Sequence, residues 1–192
     1  MKRVWIVVLA VVGAIALLAA IAGGKYIGIR NDLVRQREAI NGQWADVGTV
    51  LQRRADLIPN LVATVKGIAT HETEVFKDIA DARAALMGGR TPQEKIQAND
   101  QLSGALSRLL VIAENYPQLR SNENFLRLQD EIAGTENRIA VERRKYNEAL
   151  VNYNASLQVF PNNLVASLAG FTTNDAYFKT EPGAQTAPKV QF

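Results

Sequence analysis

Cysteine is absent from the 192 residues, and histidine occurs once, at His71. The first absence excludes disulfide frameworks, thiolate zinc sites, iron–sulfur clusters and cysteine nucleophiles. The second excludes multi-histidine metal sites and weakens most general-base schemes. Strand patterning is missing too, since no window alternates convincingly between apolar and polar residues. Glycine-rich phosphate loops are also lacking: neither Gly23-Gly24 nor Gly88-Gly89 sits in a P-loop or dinucleotide pattern. Nor is there a large excess of one charge. The 22 basic and 19 acidic residues give +3, but setting aside Lys2 and Arg3 leaves 20 against 19 from Lys25 onward. A nearly neutral body lacks the bulk field of a nucleic-acid binder, so nucleic acid is not an expected partner.

What is present begins with Val4 to Gly24, 21 residues without a charge. As a helix at about 1.5 Å per residue it spans roughly 30 Å, the thickness of a bilayer's hydrocarbon core. Trp5 and Tyr26 stand at its two ends, where amphipathic rings favour the headgroup level. A cleaved signal peptide is the competing reading, because Ala20-Ile21-Ala22 resembles a cleavage site. The run is longer than the roughly 7–15 residues of a signal's apolar region, which favours an uncleaved anchor. Ala16, Ala20 and Gly24 repeat at four-residue spacing, a small-residue face on which two anchors can pack. In an alanine-rich segment that spacing also arises by chance.

Past the anchor, apolar residues recur at steps of three and four, the period of a helix. Leu33, Ile40, Trp44, Val47, Leu51 and Ile58 form one line, which continues through Leu61, Val65, Ile68, Val75, Ile79, Ala82 and Leu86. Gly88-Gly89 ends it. Thr91-Pro92-Gln93-Glu94 starts another helix: Thr91 caps, Pro92 suits the first helical position, and Glu94 completes a capping box. That helix stops near Tyr116-Pro117. The next begins around Ser121 or Asn122 and places Phe125, Ile132, Ile139, Tyr146, Tyr153 and Phe160 seven apart. A parallel line of mostly small residues (Leu128, Thr135, Ala149, Ser156, with Glu142 as the exception) suits close packing of antiparallel helices.

Pro59 decides the architecture at this level. If the helix breaks there, with Asp56 as cap, four helices of comparable length follow and an up-and-down bundle results. If it only kinks, residues 33–86 become one rod. The matched lengths lead us to expect the break, although the hydrophobic phase runs unbroken across Pro59. The expected fold is all-α: an N-terminal transmembrane helix followed by an elongated up-and-down four-helix bundle. Its divisions are an anchor over 1–25, the bundle over 26–171, and an extended tail over 172–192 with Val190 and Phe192 at its end. Leu164, Val165, Leu168 and Phe171 are expected in a short helix on the bundle.

Arg54 and Glu72 interrupt the first apolar line, and Glu142 interrupts the last. Buried unpaired charges there would cost several kcal/mol. We expect them to snorkel outward; the rival arrangement is a buried Arg54–Glu142 or Arg54–Glu72 pair that fixes register. No catalytic set emerges. His71-Glu72 opens like a zinc-protease motif, but position 75 is valine where the second histidine belongs. Glu72, Glu74 and Asp78 lie among Lys66, Lys77 and Arg83, and Arg143-Arg144-Lys145 lies between Glu142 and Glu148; both read as solvated helix faces.

These residues resemble the LemA family of bacterial membrane proteins. The likeness is carried by Gln43-Trp44-Ala45-Asp46-Val47, by Arg53 to Val62 with Arg54, Asp56, Pro59 and Asn60, by Val65-Lys66-Gly67, and by His71-Glu72. It resumes at Tyr116-Pro117, Asn122-Glu123-Asn124-Phe125, and Gly134 to Val141 with Glu136, Asn137 and Arg138. Ala149, Tyr153-Asn154, Phe160-Pro161 and Ala187-Pro188-Lys189-Val190 complete it. Ala55 departs from the pattern where the family often carries histidine, which weakens any role resting on a histidine there. The resemblance implies a single N-terminal anchor and a helical bundle, and it brings no catalytic residues, cofactor or metal. Some relatives are implicated in shaping or organising membranes. The expected function is therefore a non-enzymatic scaffold in the bacterial inner membrane, partnered by the lipid bilayer and by further copies of itself. The alternative is an adaptor or regulator that presents its bundle to another membrane protein, such as an envelope protease or sensor. The bundle is expected on the extracytoplasmic side, because a short N-terminal stretch bearing Lys2 and Arg3 is easily retained inside.

Overall fold

The computed structural model describes residues 2–69 and 71–178, with side chains from Val4 onward. Among the described residues six helices follow one another: α1 (Lys2–Lys66), α2 (Thr73–Gly88), α3 (Pro92–Glu114), α4 (Pro117–Arg120), α5 (Glu123–Ser156) and α6 (Asn162–Ala169). No strand occurs among the described residues. The chain divides into two compact units. One joins the residues up to Asn41 with Ala149–Asn174; the other joins Gly42–Glu148 with the described residues from Asp175 on.

The second unit holds the bundle core. α1, α2, α3 and α5 supply it, with Arg83 of α2 reaching back to Ala55 of α1 and Arg108 of α3 to Asp78 of α2. Trp44 of α1 meets Tyr146 of α5, while Arg54, further along α1, meets Glu136, earlier on α5, so these two helices run antiparallel. Val47, Leu51, Ile58, Leu61 and Val65 of α1 are buried with Ile79 and Leu86 of α2, Leu102 and Leu109 of α3, and Ile139 and Tyr146 of α5. Each such side chain contributes about 1.5–3 kcal/mol relative to exposure. The helical periodicity of the sequence was reporting this core.

Pro59 does not break the helix. It lies inside α1, which continues to Lys66. The expected cap, Asp56, is an exposed mid-helix residue whose carboxylate accepts a hydrogen bond from Gln52 Nε2 at 2.9 Å. The physical reason is visible four residues before the proline. A proline has no N–H, so the carbonyl of Ala55 loses its helical donor. Arg83 of α2 supplies one instead, with Nε donating to Ala55 O at 2.7 Å. Arg83→Met should therefore destabilise the fold by about 1–2 kcal/mol, and Pro59→Ala, which restores the N–H, should recover most of that loss. Denaturant unfolding of the two single variants and the double variant checks this. Additive effects would remove Arg83 from the role.

The rod reading fails as well, because α1 stops at Lys66 and the bonds tighten around Gly67, with Ile68 N and Ala69 N both donating to Val65 O. Glu72 then stands at the N-cap position of α2, ahead of the helix. An acidic residue favours that end of the helix dipole, which accounts for its intrusion into an apolar line. The start of α3 is as the sequence implies. Thr91 accepts from Glu94 N, Glu94 reaches back to the capping N–H, and Pro92 opens the helix. The backbone N–H groups of Arg90 and Thr91 hold the Glu94 carboxyl below its ordinary range.

At the other end, α5 finishes at Ser156, so the seven-residue seam stops at Tyr153 and Phe160 is 78% exposed. α6 forms where a short helix was expected, with Val165 and Ala166 as its buried residues and Gly170 closing it at φ 74°. Residues 172–178 carry no regular structure, yet Ala176 and Phe178 are buried. The remainder of the tail expected over 172–192, residues 179–192 with Val190 and Phe192, lies outside the described residues.

Candidate functional site

In the first unit the conspicuous surface is the leading half of α1. Val4, Trp5, Leu9 and Leu18 are each about two-thirds exposed, and Ala16, Ala20 and Gly24 are exposed on the same stretch. A helix long and apolar enough to cross a membrane begins at Val4, and its apolar window buries none of itself in the protein. Tyr26 is half-buried and Leu33 is fully buried, so packing starts just beyond the run. In this same unit the guanidinium of Arg37 lies over the ring of Phe171 at 5.4 Å. Tyr153 donates its hydroxyl to Thr172 O at 3.1 Å, and burial pushes that phenol's pKa up. Asn154 brackets the backbone of Asn174, donating from Nδ2 to its carbonyl at 2.8 Å and accepting its N–H at 2.9 Å.

In the second unit two clusters stand out. Arg54 is buried, donates to Asn99 Oδ1 at 2.8 Å, and pairs with Glu136 at 2.6 Å. Desolvation lowers its pKa, with Glu136 and Asp100 opposing the shift. This overturns both sequence-level expectations for the residue. Arg54 does not snorkel to solvent, and its partner is neither Glu72 nor Glu142. Glu72 instead lies near the Tyr116 hydroxyl, at 3.4 Å, and Glu142 pairs with Lys145 at 3.0 Å. A cavity of about 360 Å³ adjoins the pair, lined among others by Leu61, Ser103, Leu106 and Ile132. Because Glu136 is itself 45% exposed, water shares in its solvation while Arg54 depends on protein partners. Glu136→Ala should cost about 1–3 kcal/mol by stranding a buried charge, and Arg54→Leu should cost less because nothing charged is stranded. Urea midpoints of the two variants decide it; a larger loss for Arg54→Leu would sink this account.

The other cluster is aromatic. Trp44 and Tyr146 have ring centroids 5.2 Å apart, and Phe178 stands edge-on to Tyr146 at 5.9 Å. The Arg143 guanidinium covers the Phe178 ring at 4.6 Å. Asn147 brackets the Phe178 backbone, accepting its N–H at 3.0 Å and donating to its carbonyl at 2.9 Å. Burial raises the Tyr146 pKa. These groups hold chain in place; none is arranged as a nucleophile with its base. Among the described residues no three His, Asp or Glu side chains gather as a metal site requires.

Of the residues singled out from sequence, the fold brings together Trp44 with Tyr146 and Arg54 with Glu136. Phe125 is buried, whereas Pro59, Asn60, Asn137 and Arg138 are exposed and join neither cluster. Sequence reasoning missed Asn99, Phe178 and the two bracketing asparagines. A signal for the last was available: Tyr146-Asn147 and Tyr153-Asn154 repeat the same dipeptide seven residues apart on one helix.

Comparison with known proteins gives a consistent result. The model of the LemA family matches residues 43–192. Magnetosome protein MamQ 2 of Paramagnetospirillum magneticum is 26% identical over 182 aligned positions, covering 81% of this chain and 66% of the relative. Magnetosome protein MamQ of Magnetospirillum gryphiswaldense is 24% identical over 200 positions, covering 90% and 73%. Protein LemA of Metamycoplasma hominis is 26% identical over 145 positions, covering 73% and 65%. The chain thus spans about two thirds of the length of these relatives.

Proposed function

We infer that this chain, which belongs to the LemA family, is a single-pass membrane-anchored helical scaffold without catalytic activity, that it self-associates, and that it organises or shapes the membrane holding it. The observation that carries the reading is the bare apolar stretch of α1, whose side chains have no protein to cover them. Water makes a poor solvent for such a surface and lipid a good one. Among the described residues, packing or capping accounts for the displaced pKa values of Arg54, Glu94, Tyr146 and Tyr153. The relatives named as magnetosome proteins take their name from a cell structure and not from a reaction, which agrees with a scaffold.

The working parts are an anchor over 1–25, a helical body over 26–171 and a C-terminal segment over 172–192, in the bacterial inner membrane with the body extracytoplasmic. Ala16, Ala20 and Gly24 are the anchor face on which copies meet, supported by their exposure and spacing. Crosslinking in native membranes tests the reading: a ladder of homo-oligomers is expected, and monomers alone would overturn self-association. The adaptor reading draws on exposed Leu110, Val111 and Leu126 on the bundle. A stable heteromeric membrane-protein complex recovered by gentle solubilisation would favour it.

A further inference from the structure

The anchor is not the longest uncharged run in this chain. From Ala149 to Asn174 there are 26 consecutive residues without Asp, Glu, Lys, Arg or His, against 21 in the anchor. Between Lys25 and Glu148 no uncharged run exceeds nine residues. Ala149–Asn174 is also the very segment that forms one compact unit with the anchor-bearing end of α1. Its apolar residues are only partly used for packing. Leu150, Tyr153, Leu157, Val165 and Ala166 are buried, while Val159, Phe160, Leu164 and Leu168 are 53%, 78%, 56% and 79% exposed.

We propose that the turn after α5 and the outward face of α6, through Val159, Phe160, Leu164 and Leu168, form a second lipid-contacting surface lying in the headgroup region beside the anchor. The proposal rests on the membrane-anchored reading and adds a site to it. Three observations commit the occupant to lipid. The first is placement. Arg37 of α1, whose guanidinium covers Phe171 just past α6, lies twelve residues beyond Lys25, roughly 18 Å along a helix, so α6 joins the stretch of α1 that leaves the bilayer. The second is the lack of charge. A surface facing water has no reason to exclude ionised side chains over 26 residues, whereas one at the hydrocarbon boundary does. The third is that the exposure is held in place. Gly170 turns the chain back in the left-handed conformation, Phe171 lies under Arg37, and the Tyr153 and Asn154 bonds to residues 172 and 174 fix the return. An apolar face kept outward by its own clamps is the pattern of an interfacial helix. Arg30, exposed on the neighbouring stretch of α1, suits lipid phosphates.

The absence of native cysteine makes the test clean. Single cysteines replace Phe160, Leu164 and Leu168 in the full-length protein, with Val12→Cys as the bilayer reference and Gln97→Cys as the aqueous reference. Each carries a nitroxide, and the protein is reconstituted into phosphatidylethanolamine–phosphatidylglycerol vesicles. Paramagnetic accessibility to oxygen and to a nickel chelate is then read. At 160, 164 and 168 the ratio of oxygen to nickel accessibility should exceed that of Gln97 several-fold and fall short of Val12. A ratio equal to that at Gln97 overturns the proposal. Low access to both reagents also overturns it, since it means that protein covers the face. If Val12 itself reads as aqueous, the anchoring premise has failed instead, so the two failures are distinguishable.

Discussion

Arginine at both Val8 and Ile15 should release the chain from the membrane while leaving its helical body folded. The two positions are seven residues apart on one helix, and both side chains are exposed, at 48% and 60%. Nothing in the protein core depends on them. An arginine near the middle of a spanning helix, as at position 15, costs about 2.5–3.5 kcal/mol on insertion scales. At position 8, one turn inside the start of the 21-residue run, the reach of the side chain relieves part of that cost, so the second arginine adds a smaller penalty of the same sign. Carbonate washing of membranes should leave the parent in the pellet and move the double variant to the supernatant or to degradation. A paired Val8→Ser, Ile15→Ser control should stay in the pellet, because serine carries no charge to desolvate. Circular dichroism of the released variant should retain the bundle's helicity and melting temperature. A double arginine variant that pellets like the parent would show that α1 holds the membrane by some means other than spanning it.

How much of this was legible in advance depends on whether the signal is local. Thr91, Pro92 and Glu94 lie within one turn, and the helix they announce begins there. The heptad line from Phe125 to Tyr153 lies on one helix face, and burial follows it at every position except the half-buried Ile132. Its continuation to Phe160 runs past Ser156, where the helix has already ended. Long-range compensation is what sequence patterning cannot see. Pro59 carries a local cost, and the donor that repairs it belongs to Arg83, on a different helix. Arg54 looked like an intruder because its partners, Asn99 and Glu136, lie 45 and 82 residues away in sequence. Of the two, Asn99 had no reason to be singled out, since one asparagine on a helix resembles any other. Phe178 falls in the extended tail that the sequence predicts, yet it packs against Trp44 and Tyr146.

That aromatic cluster carries the largest effect expected within the soluble part. Tyr146 is 1% exposed and touches both Trp44 and Phe178, so Tyr146→Ala removes the most deeply buried ring of the three and two of their three ring contacts. Truncating a buried aromatic costs about 3–5 kcal/mol, and edge-on partners add a further part of a kcal/mol each. The loss is a large fraction of the 5–15 kcal/mol that keeps an ordinary domain folded. Tyr146→Phe keeps the ring in its place and should lie within about 1.5 kcal/mol of the parent. The contrast separates packing from the hydroxyl. It also predicts where the damage appears first. Phe178 is held by its ring contacts and by the two bonds from Asn147, so the alanine variant leaves the Asn147 bracket, the cover of Arg143 and the more distant Trp44 ring at 6.1 Å. Amide exchange at Phe178, whose N–H donates to Asn147, should accelerate in Tyr146→Ala under conditions where the buried helix amides of Ile139 remain protected. Simultaneous loss of protection at both sites would show that the ring supports the whole unit and not chiefly this corner of it. An unchanged unfolding midpoint in Tyr146→Ala would contradict the cluster's place in the core.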